Sequence, residues 1–194
     1  QLNFKNLVKL NFKKFNPPMS SKKLLSSLEL YYKYHHQESR VEELIKSLIN
    51  DQDCFLRTNY SGHFTASAWI LNEKREKALM THHKKLNMWL QLGGHADGNT
   101  DLLNVARKEV LEESGIEKIR LLSDGIFDVD IHLVPKFKDQ PSHKHFDIRF
   151  IFEANENNEE ISFNHESYNV LWIKLDEIKN YNSEISIRRM IEKT

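Results

Sequence analysis

An α+β fold built on a mixed sheet is what this sequence predicts, on three observations. Segments of strand-type alternation and of helical periodicity follow one another without the regular βαβ rhythm of a doubly wound fold. The first quarter of the chain reads as helix, and the strands begin only near residue 54. A length of 194 residues with 39% apolar content suits one core plus a modest extension. The expected divisions are a basic extension over 1–18, whose composition allows it to be disordered, a helical N-terminal extension over 19–52, and the main domain over 53–194.

The elements can be justified in order. Residues 20–36 place Leu24, Leu28, Tyr31 and Tyr32 on one helical stripe. A second helix follows, with Val41, Leu44, Ile45, Leu48 and Ile49 at helical spacing and Ser39 and Glu42 as an expected capping box. These helices are expected to cover one side of the domain or to form a dimer contact. His63 to Leu71 and Lys77 to His83 read as strands joined by the charged turn at 72–76. Trp89 to Leu92 reads as one strand running into Gly93 and Gly94. A helix from about Thr100 to Ser114 carries Leu103, Ala106 and Val110 on its apolar face and ends at Gly115. Strands are expected near 117–122, 126–134, 145–154 and 169–174, then a short helix over about 184–192 with Ile187, Met190 and Ile191 inward.

Composition excludes several function classes. The chain has 28 basic and 28 acidic residues, so no global field favours nucleic acid or a membrane surface. No apolar run approaches the ~20 residues of a membrane-spanning helix. The single cysteine, Cys54, rules out an internal disulfide and reads as a small buried residue in a reducing compartment. The first 18 residues hold Lys5, Lys9, Lys13 and Lys14 and no acid, with Phe4, Phe12 and Phe15 interleaved. They lack the arginine of a typical transit peptide, so a cytoplasmic location is expected.

The stretch from Gly93 to Ile116 carries the chemistry. Glycine is scarce, yet four of the six glycines (93, 94, 98 and 115) fall in it. Glycine lets a ligand approach the backbone. On the helix that follows, Glu109, Glu112 and Glu113 stand at i, i+3 and i+4, so their side chains converge. Like charges at that spacing repel, and a hard divalent cation is the natural compensation. Taken alone, three acids on a helix are more often a solvated face; the glycine turn at a fixed distance favours a metal site.

This segment resembles the signature of the Nudix hydrolases, G-x5-E-x7-R-E-U-x-E-E-x-G-U with U a bulky aliphatic residue. Gly94, Glu109, Val110, Glu112, Glu113, Gly115 and Ile116 fall in register. Thr100 stands where the family has its first Glu, and Lys108 where it has Arg, so the ion pair that braces the family's helix is changed. The segment Trp172 to Ile178 is similar to the family's closing strand and helix. The forms Leu-Gly-Gly-His-Ala-Asp-Gly (92–98) and His-x-His-x-Asp-x-Arg-Phe (143–150) resemble a bacterial branch of that family. The resemblance implies an α/β/α sandwich around a mixed sheet. It implies hydrolysis of a diphosphate linkage in a nucleoside diphosphate joined to another group, with Mg²⁺ or Mn²⁺. It assigns metal ligation to Glu109, Glu112, Glu113 and the carbonyl of Gly93. It also implies a further acid before the closing strand: Glu166, with Glu159 and Glu160 as competitors. The expected partner is a small-molecule diphosphate, and family habit with the amphipathic N-terminal helices suggests a homodimer. The competing reading is a catalytically silent Nudix-like module that binds a nucleotide and regulates a partner. An isomerase on the same fold is disfavoured because Cys54 precedes the early strands.

A second constellation accompanies the first. Asp128, Asp130 and His132 alternate with apolar residues, as do His143, His145, Asp147 and Arg149. The intervening loop, 135–142, permits antiparallel pairing, which sets the two polar faces side by side. Three readings stay open: a substrate pocket, with Arg149 or a protonated histidine on phosphate; a second metal site; or a solvent-facing sheet surface. His95, just after the glycine turn, is a further candidate for the pocket.

Overall fold

In the computed structural model, residues 19–157 and 160–194 are described. The basic segment 1–18 and Glu159 lie outside them. Two helices lead: α1 (Met19–Tyr34) and α2 (Arg40–Asn50). The strands β1 (His63–Asn72), β2 (Lys77–His83), β3 (Met88–Leu90) and β4 (Leu92–His95) follow, then helix α3 (Leu102–Ser114). The chain continues through β5 (Ile119–Leu121), β6 (Asp128–Val134), β7 (His143–Ala154) and β8 (Ser167–Lys174). It closes with a 3₁₀ turn (Ile178–Asn180) and α4 (Ile185–Glu192).

The sheet is mixed. β1 and β7 run parallel over their whole shared length, from His63 opposite His145 to Asn72 opposite Ala154. Every other pairing, including β1 with β2 and β4, β7 with β5 and β6, and β2 with β3 and β8, is antiparallel. β1 thus pairs with three strands and β7 with three, so the sheet curls rather than lying flat.

Alternation along β1 and β7 sorts the core into two layers. Phe64, Ala66, Ala68 and Ile70, with Phe146, Ile148, Phe150 and Phe152, join one cluster with Leu24, Leu28, Leu44, Ile45 and Leu48 of α1 and α2. Leu102, Val105, Ala106 and Val110 of α3 share it. The opposite face of β1 places Trp69 and Leu71 against Ile187 and Met190 of α4. The architecture is therefore helix, curled mixed sheet, helix, and α1 and α2 cover the sheet as one of the two expected arrangements. Cys54 is buried, and burial pushes its thiol up to about 12, which leaves it inert. Among the described residues, no helix is long and apolar enough to cross a membrane.

Two details depart from the sequence reading. Ser39 sits at the start of α2 in helical geometry and makes no side-chain cap bond; Glu38 engages Arg40, Tyr31 and Lys193 instead. The expected single strand from Trp89 is two strands. The chain changes partner at Gln91, with Met88–Leu90 on β2 and Leu92–His95 on β1. That change of partner is a tertiary event, invisible to local pattern, and it aims the glycine turn at α3.

Candidate active site

β4 and α3 build the carboxylate site together. Asp101 caps α3, accepting from the Asn104 N–H at 3.2 Å, and Gly115 ends it in left-handed geometry at φ +72°. The apolar stripe of α3 fixes its roll against β4 and β1. Glu109 and Glu113 thereby face the glycine turn. The Gly93 N–H donates to Glu113 Oε2 at 2.8 Å. Gly94 is needed for space: a Cβ there would lie 2.5 Å from the Glu109 carboxyl.

The three glutamates are not equivalent. Glu113 is only 4% exposed. Burial, and then the charges of Glu109, Glu166 and Glu112, outweigh the Gly93 hydrogen bond and raise its carboxyl to about 8. Burial and the neighbouring Glu112 raise Glu109 to about 7. Glu112 lies on the exposed side, where it accepts from Lys108 Nζ at 3.0 Å. Without a cation, then, the three carboxylates do not close into a ready cage; Glu113 is buried and Glu109 half-buried at the turn, and Glu112 is held at the rim.

Glu166 lies on the exposed turn before β8, and its backbone carbonyl accepts from the Lys84 N–H at 2.9 Å. It stands close enough for its charge to help raise both Glu109 and Glu113. Glu160 is exposed. The sequence reading missed Arg57 and Asp97, which form a two-pronged ion pair beside the site. Arg57 feels the charges of Glu109 and Glu166 as well. Nothing local marks Arg57, because it is brought in by a loop before β1.

The second constellation divides in two. β6 and β7 pair antiparallel with their polar faces side by side, as expected, and the register sets Asp128 opposite Arg149, Asp130 opposite Asp147 and His132 opposite His145. At one end, Arg149 (2% exposed) is held by Asp147 at 2.8 Å, Asp128 at 3.1 Å and Asp130 at 3.4 Å. Asp128 (0% exposed) also accepts from Arg189 and Lys193. Asp147 accepts from Thr65 and Ser67. Asp128, Asp147 and Arg149, expected on a pocket or an open surface, are instead committed to an internal network beneath α4. α4 supplies the missing partners, and no local signal in 128–150 announces it.

At the other end, histidines gather. His145 lies with its ring 4.8 Å from that of His63 and 4.9 Å from that of His95. His143 is buried, and its Nδ1 lies 2.8 Å from the Pro141 carbonyl. His132 is exposed, 3.7 Å from Asp130. Burial, and then the positive field of Arg57, lowers His95 to about 4; burial and its histidine neighbours lower His145 further. His95 and His145 are therefore neutral at pH 7, which disfavours either as a protonated phosphate anchor. His63 escaped the sequence reading because its neighbours are set by the parallel β1–β7 pairing.

The comparisons with known proteins bear on the family and the fold. A sequence model described as the NUDIX domain matches residues 62–194. The chain belongs to the Nudix family, and so to a class of hydrolases acting on phosphoanhydride bonds of nucleoside diphosphate derivatives, in which a divalent metal is the usual requirement. Solved structures share the fold. A C. elegans Ap4A hydrolase binary complex is 17% identical, with 67% of this chain and 93% of that chain covered and a TM-score of 0.54. The E. coli dihydroneopterin triphosphate pyrophosphohydrolase is 14% identical, covering 67% and 92%, with a TM-score of 0.53. A MutT protein from Methanosarcina mazei Go1 is 20% identical, covering 70% and 94%, with a TM-score of 0.50. No curated protein matches the chain.

Proposed function

We propose that the protein hydrolyses the diphosphate linkage of a nucleoside diphosphate joined to a second group, with Mg²⁺ or Mn²⁺ held by Glu109, Glu112, Glu113 and the Gly93 carbonyl. The observation that carries this reading is a buried and a half-buried carboxylate, Glu113 and Glu109, packed against a glycine turn. Drawing two acids together out of water is costly unless a cation joins them. The donor set, all oxygen, fits a hard divalent ion.

When bound, such an ion neutralises diphosphate oxygens and makes a coordinated water acidic near neutral pH. The chain's own groups do the rest. The Gly93 N–H fixes Glu113. Gly94 leaves room for the Glu109 carboxyl at the turn. Glu112 leaves Lys108, an exposed pair worth little, to join the other two. Glu166 takes the proton of the attacking water, a contribution of about 10²–10⁴-fold for a well-placed base. Arg57, its fork engaged by Asp97, supplies a fixed positive charge beside the site.

The test is phosphate release from a panel of diphosphate compounds with Mg²⁺, run beside Glu113→Gln. Turnover in the parent chain and its loss in the variant is the expected result. Tight nucleotide binding without turnover on any compound would move the assignment to a silent binding module.

A further inference from the structure

We propose a second metal site in this protein, formed by His63, His95 and His145, that takes a first-row transition ion with Zn²⁺ as the reference case. It is distinct in donor chemistry from the carboxylate site and does not depend on that site being correct.

Four observations carry it. The three side chains each present a ring nitrogen, and these ligand atoms all lie within 4.8 Å of one another. They come from three strands whose register places them at one end of one sheet face. His63 opposes His145 in the parallel β1–β7 pair, and Thr65, next but one to His63 on the same face, opposes His95 in β4. The scaffold is sheet rather than loop, so the spacing is held by backbone hydrogen bonds.

The third observation is the tautomer. His63 Nδ1 lies 3.0 Å from the Asn59 carbonyl oxygen, which can only accept. The proton is therefore on Nδ1, and the neutral ring keeps a bare lone pair at Nε2. Orientation of a metal-binding histidine by a backbone carbonyl at its other nitrogen is a recurring arrangement. The fourth observation is that this lone pair has no partner. His63 is 1% exposed, and the buried Nε2 atoms of both His63 and His145 have no hydrogen-bond partner. Buried polar atoms are nearly always satisfied, and one that is not asks for an explanation such as an ion.

The chemistry of the set selects the occupant. Neutral imidazole is a borderline donor that suits Zn²⁺, Co²⁺, Ni²⁺ or Cu²⁺, whereas Mg²⁺ prefers oxygen. An anion would need N–H donors, and the His63 Nε2 lone pair would repel it. Three protein ligands leave one position of a tetrahedral ion open, the pattern of sites that bind water or a substrate atom. His95 opposes Thr65, whereas Gly94, whose side meets Glu109, opposes Ala66, so the histidines sit on the other face of the sheet from the carboxylates. A water would complete the set.

The experiment uses the full chain with the metal alone as probe. Zn²⁺ is titrated by calorimetry, and metal retained after dialysis is counted by elemental analysis. Four proteins are compared: the parent chain, His145→Ala, His63→Gln, and a Glu109→Gln/Glu113→Gln double variant that removes the carboxylate site. Expected is one tightly held Zn²⁺ per chain in the parent and in the double glutamate variant. A loss of affinity of at least about tenfold is expected in each histidine variant. Co²⁺ bound to the parent should show the visible absorption of a tetrahedral nitrogen-rich site, a readout that survives if a histidine variant fails to fold. Absence of Zn²⁺ in the parent after dialysis, or retention in both folded histidine variants, overturns the proposal. Loss of the ion in the double glutamate variant alone would assign it to the carboxylates and overturn it equally. Activity with Mg²⁺ is not read in this test, so its outcome is separate from that of the hydrolase assignment.

Discussion

At the residue scale, adjacent glycines do different work. A Cβ on Gly94 would meet the far end of the Glu109 side chain, which can swing aside. A Cβ on Gly93 would meet the Ala66 carbonyl at 2.7 Å and the Ser67 Cα at 2.8 Å, which are strand backbone and cannot. Gly94→Ala should therefore displace a metal ligand, weakening Mg²⁺ binding and turnover with little change in melting temperature. Gly93→Ala should cost about 1–3 kcal/mol of stability, because overpacking forces the β1–β4 pair apart. Calorimetric melting of both variants beside Mg²⁺ titrations checks the contrast; equal melting temperatures would remove it. Glu113→Gln should lower kcat/KM by about 100-fold or more, ~2.7 kcal/mol of transition-state stabilisation. Its metal-free melting temperature should hold near pH 7, where the raised carboxyl already carries its proton, and rise above pH 8, where the variant has no charge to bury, because the amide oxygen can still accept from Gly93.

The same two acids set a pH dependence. Glu109 and Glu113 titrate at about 7 and about 8 in the folded chain, against an ordinary value of 4.5. Between these limits the folded state holds protons that the unfolded chain has released, so metal-free stability falls as pH rises from about 5 to about 8. Mg²⁺ binding near pH 7 must expel those protons. Calorimetry in two buffers of different ionisation enthalpy should show proton release that shrinks by pH 9. Equal heats in both buffers at pH 7 would show that the acids were already ionised.

At the element scale, α3 is defined at both ends by readable signals, and its C-terminus also places a catalytic candidate. The Ser162 N–H donates to the Ser114 carbonyl at 3.0 Å, docking the segment that leads to Glu166. Gly115 allows this, since a Cβ there would strike the Ser162 hydroxyl. Gly115→Ala should destabilise the fold by about 1–2 kcal/mol from the left-handed backbone alone. It should also lower kcat more than a surface change of equal stability cost, because the Glu166 turn shifts; kinetics at matched folded fraction would reveal whether it does. The elements themselves were largely legible. β2 falls at Lys77–His83 as periodicity predicts, and α3 is shorter than expected at its start. The split at Gln91 was not legible, because no residue type there announces that the chain leaves β2 for β1.

At the scale of the whole molecule, the Asp128–Arg149 network ties α4 and α1 to the sheet. Burial opposes the charge of Asp128 and of Asp130. For Asp128 it is outweighed by Arg189, Arg149 and Lys193, and for Asp130 by His132 and the two arginines, so both carboxyls stay below their ordinary range. Arg149→Met should destabilise the protein by about 3–5 kcal/mol, since it leaves buried carboxylates unpaired. Chemical denaturation would measure it, and a cost near zero would mean the network is not structural. Carboxyls held low contribute stability that is present above pH 3.8 and lost as pH falls below it. Together with the opposite slope from Glu109 and Glu113, this puts maximum metal-free stability in the weakly acidic range.

Local spacing alone determined the strand and helix types, the acidic helix and its glycine turn, since periods of 3.6 and 2 and glycine's lack of a Cβ are properties of neighbours in the chain. Which polar residues became solvent-shielded ion pairs, and which became a nest of histidines, was settled by partners arriving from far away. α4 closes over Asp128 and Arg149, and the parallel β1–β7 pair delivers His63 to His145, because burial and charge pairing depend on what lies across the sheet rather than on what comes next along the backbone.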